Sequence, residues 1–303
     1  MSTRPFVGLA DHEPNARYKG IGLMITAFTL FALLDACAKY MSAWHGIAQI
    51  VFARYAGHFL LGVVLYAPFA GRGIWRSNNL RLQFLRSALL LASTTLNFTA
   101  LQYLQLAETA SISFTIPLWV AVLSVPLLGE YIGPHRWAAV VVGFVGVLII
   151  IRPGLGLMHW AVLLSLSMAI TTALYQILTR KLAQVDRAGT TQIYTALVGT
   201  LGVLPFALFD WTGPNSHTIW PMIAIGALGA IGHYLLIHAH RYAPAPILAP
   251  FSYTQIISMV AIGYWVFHDL PDVWTVIGGS VVVGSGLYLL HRERIHIGSS
   301  GPN

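Results

Sequence analysis

The chain has 303 residues, of which 56% are apolar or aromatic and only 9% are Asp, Glu, Lys or Arg. Soluble domains carry roughly 25% charged residues, so this composition excludes a water-covered enzyme, a nucleic-acid-binding domain and a disordered chain. The net charge of +7 resides in basic residues at the ends of apolar runs, a membrane pattern and not a nucleic-acid one.

Residues 1–18 are polar, hold Pro5 and Pro14, and are expected to form a cytoplasmic tail. A bilayer core of roughly 30 Å needs about 20 apolar residues per helix. Ten stretches qualify, at about 19–40, 47–69, 82–104, 107–128, 135–151, 157–179, 189–209, 218–240, 245–267 and 273–290. Runs such as Val140 to Ile151 do not alternate every second residue, which argues against a transmembrane barrel. The first run is long and holds Asp35 and Lys39, so it is expected to be a retained helix and not a cleaved signal. The single cysteine, Cys37, excludes an intrachain disulfide and a cysteine zinc site. Residues 291–303 complete the chain as a second cytoplasmic tail, with Gly298 to Asn303 expected to be flexible.

Placing the N-terminus in the cytoplasm puts thirteen Lys and Arg residues on the inside and only Arg152 on the outside. That bias supports an even number of helices with both termini cytoplasmic. Trp44, Trp75, Trp160, Trp211, Trp220 and Trp274 fall at span ends, where indoles favour the interface. Trp119 falls near the middle of the fourth span, as a packed or lipid-facing indole or as the wall of a ligand cavity.

Shifted by 139 residues, the sequence meets itself. Ala100, Tyr103, Ala110, Ser113, Thr115, Val142 and Leu148 align with Ala239, Tyr242, Ala249, Ser252, Thr254, Val281 and Leu287, and Glu130 aligns with Asp269. Five spans precede the join and five follow it, giving repeats over 19–152 and 157–290. An odd-numbered repeat inserts its second copy upside down. The expected fold is therefore all-α and polytopic, with ten transmembrane helices as two inverted five-helix repeats around a central cavity.

Within 85–154 the chain carries Ala100-Leu101-Gln102-Tyr103, Ala107-Glu108-Thr109-Ala110-Ser111, Pro117-Leu118, Leu128-Gly129-Glu130, Trp137, Gly143, Gly146 and Arg152-Pro153-Gly154. This stretch resembles the EamA-type module of the drug/metabolite transporter superfamily, and Arg54 resembles an arginine such modules often carry in their second helix. The second half matches more loosely, with His268-Asp269 at its turn and no counterpart of Arg54. Within the superfamily, length and aromatic content are similar to aromatic amino acid exporters of the YddG type. The resemblance implies a secondary transporter of the bacterial inner membrane that exports small amphipathic metabolites, amino acids foremost, by alternating access. A nucleotide-sugar or drug transporter is the alternative within the superfamily, and a channel the alternative outside it. No zinc-protease or nucleotide-binding motif is present, so catalysis, cofactors and metals are not expected. The expected partners are a small-molecule substrate and the lipid bilayer.

Ionisable groups at mid-membrane are costly and face protein or a wet cavity. Asp35 and Lys39, spaced i, i+4, share a face and can pair, or can serve as gate or coupling residues. Arg54 can neutralise Asp35, and Arg86 is expected to snorkel from the cytoplasmic start of the third span. His58 and His233 are candidate proton switches, with His233 the deeper. The substrate cavity is expected among spans 3, 4, 6, 8 and 9, lined by Asn97, Tyr103, Trp119, Tyr175, Tyr253 and Gln255. Pro117 and Pro250 open the hydrogen-bond ladder beside several of these residues. Gly226, Gly229 and Gly232 form a smooth stripe for helix packing, and Gly278, Gly279, Gly284 and Gly286 suit packing or a dimer contact.

Overall fold

The computed structural model describes residues 16–70, 75–129, 133–152, 159–209, 211–243 and 245–299, and these are helical apart from short connections. The helices are α1 (Ala16–Met41), α2 (Ile47–Ala70), α3 (Leu80–Leu101), α4 (Leu106–Ser113), α5 (Ile116–Leu128), α6 (Pro134–Ile151), α7 (Val162–Leu182), α8 (Ala188–Phe209), α9 (Ile219–Tyr242), α10 (Ala245–Leu248), α11 (Thr254–Phe267) and α12 (Val273–Ser299). A 3₁₀ turn over Ala249–Tyr253 joins α10 to α11. Among the described residues, eight helical stretches are long and apolar enough to cross a membrane, and Val273–Leu289 is a shorter apolar helix.

Two expected spans are broken. Residues 107–128 divide into α4 and α5 at Phe114 and Thr115, where Pro117 in the first turn of α5 supplies no N–H to continue the ladder. Residues 245–267 divide at the 3₁₀ turn, which begins around Pro250. The final helix runs on to Ser299, past the expected tail boundary at 291. Pro153, Gly154, Glu130 and Pro244 lie outside the described residues.

The two half-helices α5 and α11 end alike. Gly129 (φ 69°) and His268 (φ 56°) both take the left-handed conformation that stops a helix, and they are 139 residues apart. Glycine carries no steric penalty there, whereas a side chain costs roughly 1–2 kcal/mol. His268→Gly is therefore expected to stabilise the protein by about 1 kcal/mol, read as a raised Tm in detergent; a lowered Tm would assign His268 a contact that outweighs the strain.

The packing partners exchange between halves. α1 packs on α9 as α7 packs on α3, α2 on α9 as α8 on α3, and α1 on α11 as α7 on α5. α2 meets α8, α6 meets α12 and α4 meets α11 directly. Small residues allow the closest approaches. At the crossing of α2 and α9, Gly57 and Gly226 put backbone against backbone, and Gly146 and Gly278 do so between α6 and α12. Gly279 faces Ser111 and Gly286 faces Tyr253, so with Gly278 they serve packing within the chain, whereas nothing in the chain lies within 4 Å of a Cβ on Gly284.

One end of the bundle is tied by charge. Lys39 pairs with Asp269 at 3.0 Å and Arg152 pairs with Asp272 at 2.6 Å. The His45 ring nitrogens lie 2.8 Å from the hydroxyls of Thr212 and Thr218. At the opposite end, Asp186 accepts hydrogen bonds from Ser77, from the Asn78 N–H (2.7 Å) and from Gln83 (2.9 Å). Lys181 donates to the Leu127 carbonyl at 3.1 Å.

Candidate functional site

Two adjoining cavities occupy the middle of the bundle. The larger, about 580 Å³, is a vestibule lined by Arg54, His58, Arg86, Leu90, Tyr175, Thr179, Asp186, Gln192, Thr195, His233, Leu236 and His240, among others. Asp186 and His240 place its mouth at the end opposite the Lys39–Asp269 pair. The smaller, about 190 Å³, is a deep chamber whose walls include Asp35, Arg54, Ser93, Thr94, Asn97, Thr109, Ser113, Thr172 and Gln255. Arg54 and Leu90 border both spaces. The walls come from α1, α2, α3, α4, α5, α7, α8, α9 and α11, which adds α1, α2 and α8 to the helices expected from the sequence.

Of the expected binding residues, Asn97 and Gln255 line the chamber and Tyr175 lines the vestibule. Asn97 Nδ2 donates to Asp35 Oδ1 at 3.0 Å. Tyr175 Oη accepts from Arg86 Nη2 at 2.6 Å. The other three lie elsewhere. Tyr103 follows the last turn of α3, is half exposed, stacks on His159 and meets Trp160 at a tilt, at the Lys39 end. Trp119 sits one turn beyond Ile116, which does line the chamber, and its indole meets Phe144 of α6 at 4.8 Å. Tyr253 is buried against Phe114, 4.7 Å between ring centroids, where the two broken helices meet.

The four expected gate or coupling residues also divide. Asp35, Arg54 and His233 face the cavities. Lys39 does not pair with Asp35: its Nζ lies 3.0 Å from Asp269 and 2.9 Å from the Leu104 carbonyl, beyond the chamber. Arg54 donates to Thr94 and lies over the Tyr55 and Phe98 rings, and no ion pair within 4.0 Å joins it to Asp35.

Arg86 does not snorkel. It is 5% exposed, and its guanidinium donates to Thr179, Thr195, the Thr191 carbonyl and Tyr175, fastening α3 to α7 and α8. The signal was present in the sequence: Tyr175 with Thr179, and Thr191 with Thr195, are hydroxyl pairs at i, i+4 that put two donors' partners on one face. His58 is buried on the vestibule wall beside Gln192, with His233 5.4 Å away ring to ring. Among the described residues no group of three His, Cys, Asp or Glu side chains could hold a metal.

Asp186 lies in the loop between α7 and α8, at the vestibule mouth. Partial burial would raise its pKa, but hydrogen bonds from Ser77, Asn78 and Gln83 outweigh that and hold the carboxyl below its ordinary range. A depressed folded pKa stabilises the protein above the unfolded value of about 3.9, and that contribution disappears as pH falls through the folded value. Wild type is expected to lose Tm below about pH 4 while Asp186→Asn loses less; identical acid limbs would remove Asp186 from this role.

An EamA-like transporter family model matches residues 18–152 and again residues 159–291. An S-adenosylmethionine uptake transporter of Rickettsia prowazekii is 24% identical over 277 residues, covering 91% of this chain and 93% of the relative. A riboflavin transporter of Vibrio cholerae is 28% identical over 288 residues, covering 93% and 95%. A pseudopaline exporter of Pseudomonas aeruginosa is 26% identical over 278 residues, covering 91% and 97%. A solved crystal structure superposes with a TM-score of 0.65 at 16% identity, covering 92% of this chain and 99% of the other, which shows a shared fold. With its apolar helices, its central polar cavities and two successive matches to one transporter module, the chain belongs to the EamA-like transporter family and is a multi-pass transporter of the bacterial inner membrane.

Proposed function

We propose that the protein is a secondary transporter that exports small amphipathic metabolites, amino acids with a large planar side group foremost, by alternating access. The observation that carries this reading is a central cavity system, with charged and polar side chains set in apolar walls, whose mouth lies at the end of the bundle opposite the Lys39–Asp269 pair. At about 580 Å³ the vestibule falls in the range of small-molecule sites, roughly 300–1,000 Å³. Its aromatic and aliphatic walls suit a planar side group, and its arginines suit a carboxylate.

The architecture read here is ten membrane passes in two inverted repeats, 19–152 and 157–290, with both termini cytoplasmic. Exchange of packing partners between halves supports it, as do the paired family matches and helix breaks at corresponding places in the two halves. The broken pass through α10 and α11 and the shorter apolar stretch Val273–Leu289 of α12 are read as the ninth and tenth passes. By the Lys and Arg bias, the vestibule then opens to the cytoplasm. The relatives named for S-adenosylmethionine and riboflavin are uptake and transport proteins. Export is the reading drawn here from length and aromatic content, and one relative, the pseudopaline transporter of Pseudomonas aeruginosa, is itself named an exporter.

Counterflow in reconstituted vesicles tests the proposal. Vesicles loaded with unlabelled tryptophan, phenylalanine, S-adenosylmethionine or riboflavin are given the matching labelled compound outside. Transient accumulation with tryptophan or phenylalanine is the expected result. Accumulation with riboflavin alone would overturn the amino acid reading. Flux without saturation or counterflow would identify a channel.

A further inference from the structure

Charge is arranged unevenly where chamber and vestibule meet. Among the described residues Asp35 is the only acid and Arg54 the only base on the chamber wall, and the other polar groups there are hydroxyls and amides. Opposite charges in a poorly solvated interior attract strongly, and direct pairing is the usual relief from desolvation. Here the two are held apart, each by a neutral partner on α3. Asn97 donates to Asp35 of α1, and Thr94, one turn earlier on the same helix, accepts from Arg54 of α2. Arg54 Nε is buried with no hydrogen-bond partner. The chamber thus offers a carboxyl group that accepts from Asn97 on one side and an incompletely bonded guanidinium on the other. Arg86 differs, since neutral partners already take its Nε, Nη1 and Nη2.

We propose that the chamber seats the charged head of a zwitterion, with the ammonium on Asp35 and the carboxylate on Arg54. This rests on the amino acid reading above and sharpens it to specific atoms. The ammonium replaces or joins Asn97 at the Asp35 carboxylate. The carboxylate takes the free Arg54 N–H groups in a charge-assisted pair. Arg54 borders both cavities, so a side group attached to the head projects past Leu90 into the vestibule, toward Tyr175, His58 and His233. Gln255 of α11 faces the head from the other half of the chain. Both charges are needed to complete the seat, and a molecule with only one leaves the opposite protein charge unmatched.

The test uses purified full-length protein in detergent and three ligands with the same ring: tryptophan, tryptamine with the amine alone, and indole-3-propionate with the acid alone. Binding is measured for wild type, Asp35→Asn and Arg54→Gln. Both variants are expected to weaken tryptophan at least tenfold, about 1.4 kcal/mol. Asp35→Asn should further abolish tryptamine binding and leave indole-3-propionate within about twofold; Arg54→Gln should do the reverse. If a neutral variant fails to fold, Asp35→Glu and Arg54→Lys keep the sign and are expected to retain tryptophan binding with the same analogue preference. Absence of tryptophan binding by wild type defeats the amino acid reading itself. Tryptophan binding with both analogues weakened alike by both variants defeats the seat alone, because a purely structural charge pair would act that way.

Discussion

Asp269→Asn is expected to slow counterflow about fivefold, and Asp269→Lys by more than tenfold, with the fold intact. Lys39 ties α1 to the other half of the chain at one end of the bundle, reaching Asp269 and the Leu104 carbonyl while lying 5.2 Å from the Phe267 ring centre. Its side chain is 16% exposed and that of Asp269 32%, so the pair is neither a surface pair nor a fully buried one. Surface pairs contribute about 0.2–1 kcal/mol and breaking a buried pair costs about 3–5 kcal/mol. A contribution on the order of 1–2 kcal/mol would change a two-state closed-to-open ratio roughly 5- to 30-fold. Cys37, two residues before Lys39 on α1, is the only cysteine in the chain and is partly buried against the core, so its accessibility can be followed as this end loosens. Its labelling by a membrane-impermeant maleimide from the Lys39 side should rise in Asp269→Asn and Asp269→Lys. The swapped pair Lys39→Asp with Asp269→Lys should restore part of the transport. Unchanged labelling and unchanged counterflow in Asp269→Lys would show that this pair does not hold the end closed.

The largest stability effect is expected at the crossing of α2 and α9. A Cβ on Gly57 would lie 2.8 Å from the Gly226 Cα, and a Cβ on Gly226 would lie 2.6 Å from the Gly57 Cα. Both obstacles are backbone, so no side chain can swing aside. The helices must separate, and that opens the wall on which Arg54, His58 and His233 stand. Overpacking a tight interior costs typically 1–3 kcal/mol, and Gly57→Leu or Gly226→Leu should reach or exceed the upper figure. Thermal unfolding followed by tryptophan fluorescence should show a large loss of Tm, with loss of a monodisperse protein peak. Gly62→Ala, where nothing lies within 4 Å of the added carbon, serves as the control and should be neutral or slightly stabilising. Equal Tm values for Gly57→Leu and Gly62→Ala would mean that the two helices do not cross at these glycines.

Composition and run length made the helical membrane class legible, because a bilayer imposes a fixed length on any helix that crosses it. Pro117 and Pro250 likewise marked the two breaks, since a missing N–H acts locally. Side-chain direction was much less legible. In a soluble helix the polar face identifies the outside, but here lipid-facing and protein-facing positions are both apolar. Trp119 and Tyr253 therefore could not be placed on a face from sequence, and both turned to neighbouring rings instead of the cavities. Lys39 shows a second limit. A carboxylate four residues away was an available local partner, yet the lysine pairs with Asp269, 230 positions distant. Arg86 shows a third: its burial depends on Thr179 and Thr195, supplied by two helices whose approach the sequence does not state. Asp35, Asn97, Arg54, Tyr175 and Gln255 were legible because charged and amide groups deep in apolar runs have few places to go.

The exchange of packing partners between halves has a mechanical consequence. In the proposed cycle, a seam that loosens at one end is matched by an equivalent seam tightening at the other, so most of the packing work cancels, as on a balanced beam. The resting tilt is then set by the few places where the halves differ. At the ends of α1 and α7 the contacts among the described residues differ: Lys39 holds a carboxylate and a carbonyl, whereas Lys181 holds the Leu127 carbonyl. A ligand needs to outweigh only this small asymmetry, not the cohesion of the whole bundle, to tip the beam.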